Sequence, residues 1–316
     1  MNTPDLRVLL SHEQDDQVGA QLLADLDGVQ VLRYDPAASH LDAEQRTAHV
    51  LIPPYRGSHR PRSLLEQLPD LRAVQLLTAG ADEWAPYVPA DVLLVTARGA
   101  VAGPVSEWVL SAVLTLYRQW PALIRYQDTE TWAHRRVDAD TLAGKRILIV
   151  GAGAIGTAVA RRLPAFDATA TLLARTARAG VHATTELPTL LAHHDVVVLT
   201  VPLTVETAGL VDDAFLAAMP DGAVLVNAAR GRIVHTDALA VELRHGRLRA
   251  ALDVTDPEPL PTGHPLWNCP GVIISPHMAR TVPGTPRLCY AVAVEQIRQL
   301  LVGRLPPNVV TRRVPP

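Results

Sequence analysis

Three polar residues, far apart in the chain, sit in settings that suit chemistry. They are Arg230 in Asn227-Ala228-Ala229-Arg230-Gly231, Glu258 in the stretch Asp253–Leu260, and His277 in Ser275-Pro276-His277. Each setting reads as the end of a strand, and the three are 28 and 19 residues apart. All follow a glycine-rich turn, Gly151-Ala152-Gly153-Ala154-Ile155-Gly156. A guanidinium binds a carboxylate, an imidazole exchanges a proton near neutral pH, and a carboxylate orients the imidazole. Downstream of a dinucleotide-type turn, these are the parts needed to move a hydride to or from a carbonyl carbon. Any one of them alone reads as an ordinary surface ion pair; the set in these settings does not.

The turn itself has a division of labour. Gly151 permits the tight bend, Gly153 lets backbone approach a pyrophosphate, and Gly156 lets the helix pack on the strand. The amides of Ala154 and Ile155 open that helix, where the dipole favours phosphate. An apolar run, Lys145–Val150, precedes the turn, and a helical pattern of Ile155, Val159, Ala160 and Leu163 follows it. That context is what separates a cofactor turn from a chance GxGxxG. An acidic residue about 20 positions further on would bond a ribose 2′-hydroxyl. The chain instead places Arg175 nineteen residues after Gly156, with no Asp or Glu near. Arg175 and Thr176, with Arg178, suit a 2′-phosphate that a guanidinium pairs bidentately. The expected cofactor is NADP(H) in preference, with NAD(H) also admitted.

The elements that must position these groups can be read from periodicity. Near the N-terminus, short apolar runs at 6–10, 29–32, 49–52 and 71–77 alternate with helical spacing at 15–26 and around Leu64, Leu65 and Leu68. This is the pattern of a small parallel α/β unit, placed at 1–99. A long apolar helix is expected over 104–126, kinked or divided by Pro121. Its wide stripe suits an interdomain core or a partner subunit. Six runs follow as strands: Lys145–Val150, Ala170–Leu173, Val196–Leu199, Ala223–Val226, Ala250–Leu252 and Val272–Ile274. With intervening helices they make a doubly wound parallel sheet over 100–283. An amphipathic helix in 284–316 is expected to return to the first unit and make it discontinuous.

Composition sets the outer bounds. A chain of 316 residues suits two domains, and 48% hydrophobic content fills their cores. A net charge of −3 without a basic run gives no reason to expect nucleic acid. Two cysteines, Cys269 and Cys289, fit a reducing cytoplasm and exclude a disulfide framework. No ligand spacing points to a metal. The apolar runs are far shorter than the ~20 residues a membrane span needs, and the N-terminus shows no signal-peptide pattern.

The chain resembles the D-isomer-specific 2-hydroxyacid dehydrogenase family. The resemblance rests on Gly151–Gly156, Pro202–Thr207, Asn227–Gly231, Asp253–Leu260 and Ser275–His277, with weaker matches at Thr78–Asp82 and Ser106-Glu107. It implies a Rossmann-type cofactor domain, a smaller discontinuous flavodoxin-like substrate domain, a site in the cleft between them, and a homodimer. It implies that His277 is the acid/base, that Glu258 orients it, and that Arg230 binds the substrate carboxylate. Ala79, Gly80 and Ala81 would hold the carboxylate through their amides. Val201, Pro202, Thr207 and Ala228 would line the cofactor, and Asp253 would orient the nicotinamide carboxamide. The substrate would be a small 2-keto or 2-hydroxy acid, glyoxylate- or hydroxypyruvate-like or larger. Two other readings share the fold: a dinucleotide-sensing corepressor-like binding protein, and a formate- or phosphite-type dehydrogenase. Two departures stand out. Asp167 occupies the place of a family glycine, and Ala97–Gly103 replaces the usual Asn-containing segment before the long helix.

Several further residues carry expectations. Tyr55, Arg56, Trp84 and Arg98 are candidates to touch a substrate side chain. His193 and His194 read as solvent-facing, and Trp132 as core packing.

Overall fold

The computed structural model describes residues 6–57 and 60–310. Among these, the chain divides into two compact units, 1–101 with 282–316, and 102–281.

The first unit begins with β1 (Leu6–Ser11), α1 (Gln17–Ala24), β2 (Val29–Tyr34), β3 (Val50–Ile52), β4 (Ala73–Gln75) and β5 (Leu93–Val95). The strands form one parallel sheet in the order β2-β1-β3-β4-β5, the flavodoxin-like arrangement. The β1 and β3 strands are buried throughout save Arg7, which is why they read as nearly continuous apolar runs. Two elements depart from periodicity. The Leu64/Leu65/Leu68 pattern forms a 3-10 helix, Arg60–Gln67, and β5 is a strand outside the expected runs.

The second unit opens with α2 (Ala102–Tyr117) and α3 (Trp120–Asp128). The expected long helix is divided: Gln119 adopts a left-handed conformation (φ 57°), and Pro121 sits in the first turn of α3, where its missing N–H costs nothing. Then come β6 (Arg146–Val150), α4 (Ala154–Arg162), β7 (Thr169–Ala174), β8 (Val181–Ala183), α5 (Leu187–Leu191), β9 (Val196–Leu199), α6 (Asp213–Ala218), β10 (Val224–Asn227), α7 (Thr236–Arg244), β11 (Arg249–Leu252) and β12 (Val272–Ile274). The sheet is parallel, ordered β12-β11-β10-β9-β6-β7-β8. It holds seven strands rather than six. The extra one, β8, is three half-exposed residues without a clear alternation.

Alternation along the other strands builds two cores. Ile147, Ile149, Val196, Val198, Val224 and Val226 face one side, with Val109, Val113 and Leu116 of α2 and Val159 of α4. Leu148, Val150, Val197, Leu199 and Leu225 face the other, with residues of α5, α6 and α7. Successive strand residues point to opposite faces, so an apolar run buries both. Asp167 takes a left-handed conformation (φ 54°) at the turn before β7, the geometry for which glycine is the ordinary choice. Finally α8 (Thr285–Leu301) returns to the first unit and packs on α1.

Candidate active site

Strand register brings the motifs of the second unit to one edge. Val150, Leu199, Asn227, Leu252 and Ile274 stand opposite one another across five strands. One residue further along lie Gly151, Thr200, Ala228, Asp253 and Ser275. Strand order turns back at β6, with β7 on one side and β9 on the other. That is the topological switch point where open parallel sheets bind ligands.

The three glycines of the turn are not equivalent. Gly151 has φ +119°, and a Cβ there would lie 2.7 Å from the Thr200 carbonyl carbon. A Cβ on Gly156 would lie 2.0 Å from the Gly151 oxygen. At Gly153 nothing stands within 4 Å. Two positions are therefore closed by packing, and the third faces open space. Gly153 is the N-cap of α4, no side chain caps it, and Ala154 and Ile155 begin the helix. A backbone cradle open at this point, with uncapped helix amides, fits a dinucleotide pyrophosphate.

At the end of β7, Arg175 and Thr176 are exposed and have no side-chain partner among the described residues. Arg178 Nη2 donates to the Ala152 carbonyl at 2.9 Å, tying this loop to the glycine turn. After β9, Val201 is half-buried and Pro202 exposed. The Thr207 hydroxyl donates to Pro202 O at 2.6 Å and accepts from Thr204 N at 2.8 Å, so it closes its own loop.

Arg230 follows β10 on a turn fixed by Asn227. The Asn227 Nδ2 donates to Arg230 O at 2.9 Å, and its Oδ1 accepts from Ala229 N at 3.1 Å. Ala228 is half-buried beside it. A Cβ on Gly231 would lie 1.9 Å from Thr255 O, so only glycine lets this turn lie against the segment leading to Glu258. That segment is held by Thr236 Oγ1 donating to Asp256 O at 2.7 Å. His277 Nδ1 and Glu258 Oε1 are 2.7 Å apart, and both side chains are part-exposed, at 42% and 40%. The carboxylate can only accept, so Nδ1 carries a proton and Nε2 is the nitrogen left for exchange. In the first unit, Ala79, Gly80 and Ala81 form a turn closed by Thr78 Oγ1 donating to Gly80 O at 2.7 Å. Their amides have no partner among the described residues.

Other expectations change. His194 is buried at 4% exposure, not solvent-facing: Nδ1 lies 2.6 Å from Leu190 O and Nε2 2.8 Å from Thr171 Oγ1. Position before a charged Asp195 concealed that both ring nitrogens find partners. Trp84 is a core residue, 2% exposed among Leu51, Leu64 and Leu94. Tyr55 is buried, with its amide on Asp16, and Arg56 pairs with Asp15. Arg98 Nη2 reaches Pro307 O at 3.4 Å. Trp132 is 90% exposed, so core packing is the wrong reading for it. The roles of Asn227 and Ser275 were missed. The signal for Asn227 was a polar residue ending an otherwise apolar strand, Val224-Leu225-Val226-Asn227.

Among the described residues no helix is long and apolar enough to cross a membrane. Residues 110–279 match the family model described as D-isomer specific 2-hydroxyacid dehydrogenase, NAD binding domain. A glyoxylate reductase of Thermofilum pendens is 32% identical over 264 residues, covering 79% of this chain and 78% of that protein. A D-3-phosphoglycerate dehydrogenase of Mycobacterium tuberculosis is 35% identical over 263 residues, 78% of this chain but only 48% of that longer protein. Among solved structures, a D-isomer specific 2-hydroxyacid dehydrogenase from Xanthobacter autotrophicus in complex with NADPH and MES superposes with a TM-score of 0.83. It is 30% identical, over 97% of this chain and 98% of that one.

Proposed function

The chain belongs to the D-isomer-specific 2-hydroxyacid dehydrogenase family and is an NAD(P)-dependent oxidoreductase, and from that premise we propose that it interconverts a small 2-keto acid and its D-2-hydroxy acid with NADP(H) as the preferred cofactor. The observation that carries the reading is the His277–Glu258 contact of 2.7 Å at the sheet edge that also bears the glycine turn. When bound, the nicotinamide supplies or accepts the hydride at the substrate carbon. His277 gives a proton from Nε2 to the carbonyl oxygen during reduction and takes it back during oxidation. Glu258 accepts from Nδ1 and fixes the ring. Arg230 pairs with the substrate carboxylate and polarises the carbonyl. The resemblance also gives the amides of Ala79, Gly80 and Ala81 a carboxylate-binding role. Gly151, Gly153, Ala154, Ile155 and Gly156 hold the pyrophosphate, and Val201, Pro202, Thr207, Ala228 and Asp253 surround the nicotinamide half.

Preference for NADP(H) is supported by exposed Arg175 and Thr176 where an NAD-type carboxylate is missing. The relatives' names favour glyoxylate or hydroxypyruvate as the first acids to try. A homodimer, resting on the resemblance, and a cytoplasmic location, resting on the two cysteines, complete the proposal.

The test is loss of reduced-nicotinamide absorbance with a panel of 2-keto acids, NADPH and NADH in parallel, and a His277→Ala control. Turnover with NADPH that the variant loses, while it still binds NADPH, is expected. Equal efficiency with NADH would overturn the cofactor preference. Unchanged turnover in His277→Ala would overturn the proton-donor assignment.

A further inference from the structure

The resemblance gives Asp253 a place against the nicotinamide carboxamide, yet most of its hydrogen-bonding capacity is used elsewhere. Asp253 is 4% exposed. Its Oδ1 accepts from the Ser275 hydroxyl at 2.6 Å, the Met278 amide at 2.7 Å and the Ala279 amide at 3.0 Å. Its backbone carbonyl accepts from the His277 amide at 2.8 Å. One residue thus grips the turn on both sides of the histidine and at the histidine itself.

That turn needs gripping. His277 has φ +54°, a left-handed conformation that is unfavourable for a non-glycine residue. The conformation persists only where surrounding bonds over-determine it. We propose that Asp253 is the positioning residue for His277: its Oδ1 holds the 275–279 turn in the left-handed form that presents the imidazole to Glu258 and to substrate. The proposal rests on His277 being the proton donor.

The chemistry separates this role from carboxamide binding. Three donors saturate Oδ1, so only Oδ2 has capacity left for a carboxamide. In Asp253→Asn the three donors force the amide oxygen into the Oδ1 place, because an NH2 group cannot accept from them. The grip survives, and the other position changes from acceptor to donor. Asp253→Ala removes both functions. Ser275→Ala removes one of the three bonds.

The experiment measures kcat, KM for the keto acid, the NADPH dissociation constant and the unfolding midpoint for the full chain and these three variants, with His277→Ala alongside. Asp253→Ala is expected to lower kcat about a hundredfold, the scale of a misplaced catalytic group. Asp253→Asn recovers kcat to within about tenfold of the wild type and binds NADPH normally. Ser275→Ala loses about fivefold in kcat with KM unchanged, the scale of one hydrogen bond. A merely structural role would instead lower the unfolding midpoint and leave the kcat of folded protein alone, which overturns the inference. So does an Asp253→Asn variant as inactive as Asp253→Ala with weakened NADPH binding, because the carboxamide role then dominates. If His277→Ala itself turns over normally, the underlying proton-donor reading has failed rather than the grip. Should Asp253→Ala not fold, Asp253→Asn and Ser275→Ala still decide.

Discussion

Asp16 in the first unit and Asp253 in the second are both sealed from water, at 0% and 4% exposure, and both lie a short way past the end of a strand. Each carboxylate collects hydrogen bonds from three residues. The difference lies in where the donors come from. Those of Asp253 belong to a single turn, 275–279, and the turn carries a proposed catalytic side chain. Those of Asp16 come from across the unit: the Ser11 hydroxyl at the end of β1, the Tyr55 amide beyond β3 at 3.1 Å, and the Tyr290 hydroxyl in α8 at 2.8 Å. Asp16 therefore pins the returning C-terminal helix to the N-terminal strands, and the Tyr290 ring fills the space that Gly19 leaves open. A buried carboxylate states its purpose through its donors. Distant donors mean that it holds a fold, and donors from one loop mean that it holds a loop.

The largest effect expected on stability tests that contrast directly. Asp16→Ala strands three buried donors, and the unfolding free energy should fall by about 3 kcal/mol. Urea unfolding measures it, and NADPH titration should show affinity held within about threefold. A loss below about 1 kcal/mol would mean that the cluster is not a structural pin.

Glycines in the second unit repeat the contrast at smaller scale. Gly156→Ala drives a methyl group against the Gly151 carbonyl and should cost about 2 kcal/mol of stability. Gly153→Ala meets nothing, so the fold should keep its stability while the NADPH dissociation constant rises about tenfold. If both variants lose stability equally, the distinction between a packing glycine and a ligand-facing glycine fails.

The contrast also marks what could be read in advance. The sheet strands Ile147–Val150, Val196–Leu199 and Val224–Val226 were legible because parallel strands buried on both faces leave unbroken apolar runs. Gly151–Gly156, Arg230, Glu258 and His277 were legible because their spacing follows strand ends, and the register then aligns those ends. Strand β8 was not, since Val181-His182-Ala183 is no apolar run and stays part-exposed, and β5 went unread although Val92–Val95 is apolar. Nothing local marks Asp16, which sits among Glu13, Gln14, Asp15 and Gln17, because its partner Tyr290 is 274 residues away. Asp253 was seen, but the turn it grips is a tertiary fact that only the assembled edge displays. His194 was misread for a related reason, its partners being a neighbouring strand and the last turn of α5.

His194 gives the smallest effect and responds to pH in the opposite sense to Asp16. Leu190 O can only accept, so Nδ1–H donates to it, and in the neutral ring Nε2 accepts from the Thr171 hydroxyl. Burial holds this imidazole below its ordinary 6.5, because the charged form would lose its hydration. As pH falls, the unfolded chain takes up the proton first, so the stability His194 contributes is complete above 6.5 and is lost toward its folded pKa. Asp16 runs the other way. Burial raises its carboxyl above 3.8, so its contribution is complete below 3.8 and is lost as pH rises through the folded value. Between pH 7 and about 5, histidine protonation at this site should therefore loosen the second unit around it, a response of opposite sign to that of Asp16. Hydrogen exchange, corrected for the intrinsic pH dependence of the chemistry, should show protection falling in peptides spanning 169–174 and 187–199, and buried His49, whose Nδ1 accepts from Arg7 N in β1 at 3.1 Å and whose pKa burial also lowers, should give a like fall in those spanning 6–11. His194→Gln should flatten the response in the second unit's peptides. The same slope there in the variant would assign the loosening to some other group and remove His194 from the contrast with Asp16.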